Sequence, residues 1–122
     1  MRTDAICRAL GVRAYDLSNP RDPELVSTFL PSRTRPQVPH EFFLWDDPNV
    51  AGRALLYIST PGVIGDNLLV VDISQARQGV FVEAGSWSAP QGPFRTTLHS
   101  LSISVDGRRA YLAYLRNGFM IL

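Results

Sequence analysis

The sequence predicts an all-β chain assembled from a repeated unit of four short antiparallel strands. Three observations carry this. Short apolar or alternating runs follow one another along the whole chain, each broken by Gly, Pro, Asn, Asp or Ser, and nine Gly and nine Pro supply the turns that many short strands require. Residues 13–20 (Arg-Ala-Tyr-Asp-Leu-Ser-Asn-Pro) and 68–75 (Leu-Leu-Val-Val-Asp-Ile-Ser-Gln) share an ending, placing Asp16 and Asp72 56 residues apart with Ser18 over Ser74, Arg21 over Arg77 and Val26 over Val82. A second register set runs in the same order: His40 and His99 are 59 residues apart, as are Asp47 and Asp106, with Leu44 over Ile103 and Tyr57 over Tyr111. The period is roughly 50–60 residues, the range of repeat architectures built from one supersecondary unit.

In chain order, residues 3–11 carry a helical start with Thr3 as cap, too short to stand alone. Residues 12–15 alternate and read as a strand, 18–24 as a turn rich in Ser, Asn, Asp and Pro, and 25–30 as a second strand. Residues 31–39, with three prolines, are an extended crossing. The run His-Glu-Phe-Phe-Leu-Trp at 40–45 is apolar on both faces and predicts a buried strand. A turn over 46–49 leads to a strand at 53–60, a loop at 61–67, the strand at 68–73, a turn at 75–79 and a strand at 80–84. Residues 85–93 form a Gly/Ser/Pro loop holding Trp87. Residues 99–105 alternate, Asp106-Gly107 signals a two-residue hairpin, 110–115 is a strand, Asn117-Gly118 is a further turn, and 119–122 starts a last strand.

Composition narrows the function classes. A chain of 122 residues suits one domain, and 45% hydrophobic with 19% charged residues suits a globular one. The net charge of +1, with twelve scattered arginines and no lysine, gives no footprint for nucleic acid. No apolar run reaches the roughly 18 residues of a membrane span, and no signal-peptide core is visible. Cys7 is the single cysteine, which excludes an intrachain disulfide and a multi-cysteine metal site.

A four-stranded unit at this period is the sequence form of a β-propeller blade. The predicted fold class is an incomplete β-propeller of about two and a quarter blades: residues 12–30 end one blade, 40–84 form a complete one and 98–122 start the next. Blades bury their apolar faces against neighbours, and exposed faces cost about 25 cal/mol per Å². The chain is therefore expected to be a piece of a longer propeller, as its break one residue before a third aspartate also indicates; if it is complete, self-assembly of several copies into one ring is the expectation.

Tyr15-Asp-Leu-Ser-Asn-Pro20 and Leu69-Val-Val-Asp-Ile-Ser74 resemble the LVIVD repeat, and His99-Ser-Leu-Ser-Ile-Ser-Val-Asp-Gly107 followed by Arg109-Ala-Tyr-Leu-Ala113 is similar to the blade start of LVIVD and related bacterial propellers. The resemblance spans residues 12–122. It implies a bacterial propeller, often exported or on the cell surface, with no common enzymatic activity and no catalytic set to carry over. The second copy departs from it, with Gln75-Ala76 where the first has Asn19-Pro20.

Among individual residues, His40 and His99 begin first strands, which in a propeller lie nearest the central channel. They are metal-ligand candidates with Glu41 as carboxylate partner, against the plainer reading of repeated strand caps. Asp16, Asp72, Asp106 and Gly107 are expected to fix strand ends and turns. Asp46-Asp47-Pro48-Asn49 offers hard oxygen ligands without the spacing of a calcium loop. Trp87, in its loop, is a candidate binding anchor. His99 and Ser100 are neighbours on a strand, so they cannot pair as base and nucleophile, and no nucleophile elbow, phosphate loop or zinc spacing occurs. The expected function is a non-catalytic module that binds a protein or small ligand through its loop face, without a cofactor. The alternative is a propeller enzyme with a metal or substrate site involving His40 and His99.

Overall fold

A computed structural model of the chain describes residues 11–29, 39–61, 67–90 and 97–122. These form nine strands in three antiparallel sheets, with one 3₁₀ turn and no α-helix among the described residues. The first sheet is β1 (Val12–Asp16) and β2 (Glu24–Phe29). The second is β3 (Glu41–Asp46), β4 (Ala54–Ser59), β5 (Leu68–Asp72) and β6 (Val82–Trp87), paired in chain order. The third is β7 (Thr97–Ile103), β8 (Ala110–Leu115) and β9 (Gly118–Ile121), also in chain order. Strands that are neighbours in sequence pair because short turns can join only antiparallel partners.

Two apolar layers hold the sheets together, one on each face of the middle sheet. Leu56, Ile58, Leu69 and Val71 point one way and meet Val12 and Phe29 of the first sheet, with Ile73 and Phe81 at the edge. Trp45, Leu68, Phe43, Leu55, Tyr57 and Val70 point the other way, against Leu98, Leu101, Ile103, Leu112 and Tyr114 of the third. The period-2 alternation of strand side chains assigns each residue to its layer. Ile58, Leu69, Val71, Leu98 and Leu112 are wholly buried, and such burial is worth about 1.5–3 kcal/mol per side chain.

The registers show where the two halves correspond. Both β1/β2 and β5/β6 carry a bulge at equivalent places, between Ala14 and Tyr15 and between Val70 and Val71. Asp16 pairs with Glu24 and Asp72 with Val82, so Glu24, not Val26, is the counterpart of Val82. The second turn is two residues longer, which the 3₁₀ turn at Ala76–Gln78 and left-handed Gly79 absorb. That insertion is also why β6 starts at Val82, two residues later than the alternation predicts, and reaches Trp87.

Other expectations change in detail. β3 is not buried on both faces: Phe43 and Trp45 are covered, while Phe42 and Leu44 are 61% and 48% exposed. The first sheet has only two strands among the described residues, and neither reaches across to cover them. The turn after β7 is longer than a two-residue hairpin. The Ser104 carbonyl accepts from the Gly107 N–H at 2.8 Å, and the Ser104 N–H donates to the Arg109 carbonyl at 2.9 Å. Val105 and Asp106 are thus the turn's centre, with Gly107 left-handed after it. The last turn centres on Leu115-Arg116-Asn117, with Arg116 at φ 71°, and Gly118 already starts β9. The N-terminal helical start and Cys7 lie outside the described residues, as does most of the crossing at 31–39.

Candidate functional site

The start of β3 stands beside the start of β7, and the two strands run in the same direction: His40 and Glu41 meet His99 and Ser100 at one end, Trp45 meets Val105 at the other. The sequence offset of 59 residues thus becomes a spatial pairing of equivalent positions on neighbouring sheets. The imidazoles of His40 and His99 lie with ring centroids 4.7 Å apart, tilted by 59°. The Ser100 hydroxyl donates to Glu41 Oε1 at 2.8 Å.

One buried hydroxyl fixes this corner. Ser59, at the end of β4, accepts from the Glu41 N–H at 3.1 Å and donates to the His99 carbonyl at 3.3 Å. The Ser59 carbonyl accepts from the His40 N–H at 2.9 Å. His99 is also the residue that β7 skips in its pairing with β8, since Leu98 faces Tyr114 and Ser100 faces Ala113. A bulge re-aims a side chain, and here it coincides with the histidine that meets His40. The strict alternation over 99–105 gives no sign of it, because nothing in the local pattern marks a bulge without a glycine. His40 and Glu41 further line an open cleft of about 320 Å³ with Val12, Arg13 and Phe42. Among the described residues no group of three or more His, Cys, Asp or Glu is placed to hold a metal ion.

The opposite end of the sheets is a row of turns. Because β1, β3, β5 and β7 run the same way, the turns after them all fall on one edge. Each contains an aspartate that accepts from a backbone N–H two residues on: Ser18 N to Asp16 at 2.7 Å, Asn49 N to Asp47 at 2.8 Å, Ser74 N to Asp72 at 2.8 Å and Arg108 N to Asp106 at 3.1 Å. Hydroxyls add to this, from Ser18 to Asp16 and from Ser104 to Asp106, both at 2.5 Å. The Ser18 hydroxyl, then its N–H, hold the Asp16 carboxyl below the ordinary carboxylate value. Ser74 does the same for Asp72, and for Asp106 the Ser104 hydroxyl leads and the Arg108 N–H follows. Asp47 also pairs with Arg53 at 3.2 Å, and both its oxygens are thereby engaged by protein donors.

Gly107 belongs to the contact between sheets. The Trp45 indole N–H donates to the Val105 carbonyl at 2.9 Å, and its ring lies so close to Gly107 that a Cβ there would fall 2.5 Å from Trp45 Cζ2. Trp87 is not on a loop. It ends β6, half-buried, with its ring edge-on to Tyr114 at 6.3 Å, packed against the core between the second and third sheets. Its Gly/Ser/Pro surroundings read as loop because β6 is a late, small-residue strand. No family model matches the chain, and no curated protein or solved structure matches it.

Proposed function

We propose that the three sheets are successive blades of a β-propeller of the LVIVD-repeat type, and that the chain acts as a non-catalytic binding or scaffolding module. The observation that carries the reading is the repetition of whole contacts as well as words. The Asp-x-Ser turn recurs with its hydrogen bond at Asp16 and Asp72, each preceded by a bulge at the same place. Equivalent first strands stand side by side in parallel, as adjacent blades require.

The packing repeats in one sense only. Leu101 and Ile103 of the third sheet are covered by the second, while their counterparts Phe42 and Leu44 stand open toward the side of the first. An adjoining blade with its own first two strands would close that face. In this reading the contact surface for a partner is the edge formed by the turns at 16–24, 47–53, 72–82 and 104–109, where Asp16, Asp47, Asp72 and Asp106 accept from the backbone of their own turns and Arg21, Asp22, Arg77 and Arg108 are exposed. Such a surface, rigid and without a nucleophile–base pair, suits recognition and not turnover.

A structure of the complete gene product tests the architecture: a closed ring of four-stranded units with Phe42 and Leu44 buried is expected, and an open sandwich would overturn it. For the function, charge reversal at Arg21, Arg77 and Arg108 should abolish capture of a partner while leaving the melting temperature unchanged. Capture insensitive to all three, or turnover of any substrate, refutes the binding-edge assignment.

A further inference from the structure

We propose that His40 and His99 together bind one divalent d-block cation of the imidazole-preferring group, Zn²⁺, Ni²⁺ or Cu²⁺, whose remaining coordination positions open toward solvent. This site is independent of the propeller reading and does not need a partner protein.

The geometry comes first. An imidazole nitrogen ligates such an ion at about 2 Å, which puts the ring centroid about 3 Å from the metal; two rings on adjacent positions of one tetrahedral or octahedral ion are then about 4–5 Å apart. The observed separation is 4.7 Å, and the 59° tilt is not the parallel arrangement of a stacked pair. The backbone that carries both rings is held in place. Ser59 ties the His40 N–H through its carbonyl and the His99 carbonyl through its hydroxyl, and the Glu41–Ser100 hydrogen bond clamps the next residue on each strand. Preorganisation of the backbone in this way lowers the ordering cost of a two-point chelate.

Access and chemistry agree with it. Both histidines are exposed, and His40 borders the cleft it shares with Arg13 and Glu41, so an ion can enter without the sheets parting. Glu41 has one oxygen engaged by Ser100 and lines the same cleft as Arg13, so the cleft carries one charge of each sign. With no third protein ligand among the described residues, the ion keeps water in its other positions. That favours ions that bind imidazole strongly over Mg²⁺ and Ca²⁺, which require oxygen cages.

The chain contains two histidines in all, which makes the test direct. Tag-free protein is titrated with ZnCl₂ while the ring signals of both histidines are followed by NMR. Both are expected to move together and saturate at one equivalent. Calorimetry with NiCl₂ and CuCl₂ should give one site per chain, tighter for Cu²⁺. Binding should weaken roughly tenfold or more in H40Q and in H99Q, with the double variant little worse than either, since each ligand acts only with the other. Ring signals that respond separately, saturation at two equivalents, no response at all, or single variants with wild-type affinity would each overturn the proposal. The NMR arm uses the unaltered protein, so a variant that fails to fold does not protect it.

Discussion

Replacing Gly107 with alanine introduces two penalties that the structure lets one separate. Gly107 has φ +70°, a conformation that costs an L-residue about 1–2 kcal/mol. Its new Cβ would also meet Trp45 Cζ2 at 2.5 Å and Cε2 at 2.8 Å, inside any ordinary contact. Trp45 is nearly buried and its indole N–H is committed to the Val105 carbonyl, so the ring can yield only by giving up that bond, worth about 0.5–1.5 kcal/mol. Overpacking of this type costs about 1–3 kcal/mol, and the expected total for G107A is about 2–5 kcal/mol. Gly52 and Gly118 are the controls, with φ of +79° and +78° and nothing within 4 Å of where a Cβ would stand. G52A and G118A should therefore show the backbone penalty alone. Urea unfolding followed by tryptophan fluorescence and by circular dichroism reads all three, provided the slope is unchanged. If G107A loses no more than G52A, the Trp45–Gly107 contact does not join the sheets as described.

Other outcomes follow from the same contacts. W45F removes the indole donor and shrinks the ring, and should cost about 1–3 kcal/mol, measured by the same unfolding curves. A double-mutant cycle on E41A and S100A should return a coupling of about 1–2 kcal/mol, because a charged acceptor across two sheets is lost; a coupling near zero refutes the clamp. The carboxyls of Asp16, Asp72 and Asp106 sit below the ordinary value of 3.8, so near that pH the folded chain holds fewer protons than the unfolded one. Their contribution is complete above that value and disappears as pH falls through the lower folded values. Thermal unfolding between pH 5 and 2 should therefore steepen below about pH 4 in the wild type and flatten in the D16N/D72N/D106N variant; parallel curves would remove the Asx turns from the stability argument.

Much of this arrangement is legible in the sequence because it is written in period-2 patterns and turn residues. All nine strands among the described residues have a counterpart in the apolar runs, and the Asp-x-Ser ending predicts a carboxylate that serves its own turn. What escapes the sequence has physical reasons. The two-residue insertion around Ala76–Gln78 is masked because Arg21 and Arg77 stand at the same offset as Asp16 and Asp72, and composition does not reveal a 3₁₀ turn. The exposure of Phe42 and Leu44 depends on which strands stand opposite, which no local pattern encodes. At the candidate site, the offset of 59 residues singles out His40 and His99, yet their ring contact and the Glu41–Ser100 bond form beside a bulge at His99 that the local pattern does not mark. Ser59 escapes notice because a serine at a strand end is ordinary until both neighbours of its hydroxyl are known.

The middle sheet is the only one of the three described with an apolar layer on both faces, and this has a consequence for how the chain comes apart. Each sheet interacts with the next one along, so in the 122-residue chain taken by itself stability behaves as a chain of nearest-neighbour couplings, in which each outer sheet has one neighbour and the middle sheet two. Under native conditions the outer sheets should fray first, and the slowest amide exchange should centre on Ile58, Leu69 and Val71, which are fully enclosed. Loosening then travels inward from either flank, and β4 and β5 are the last hydrogen-bonded ladder to open.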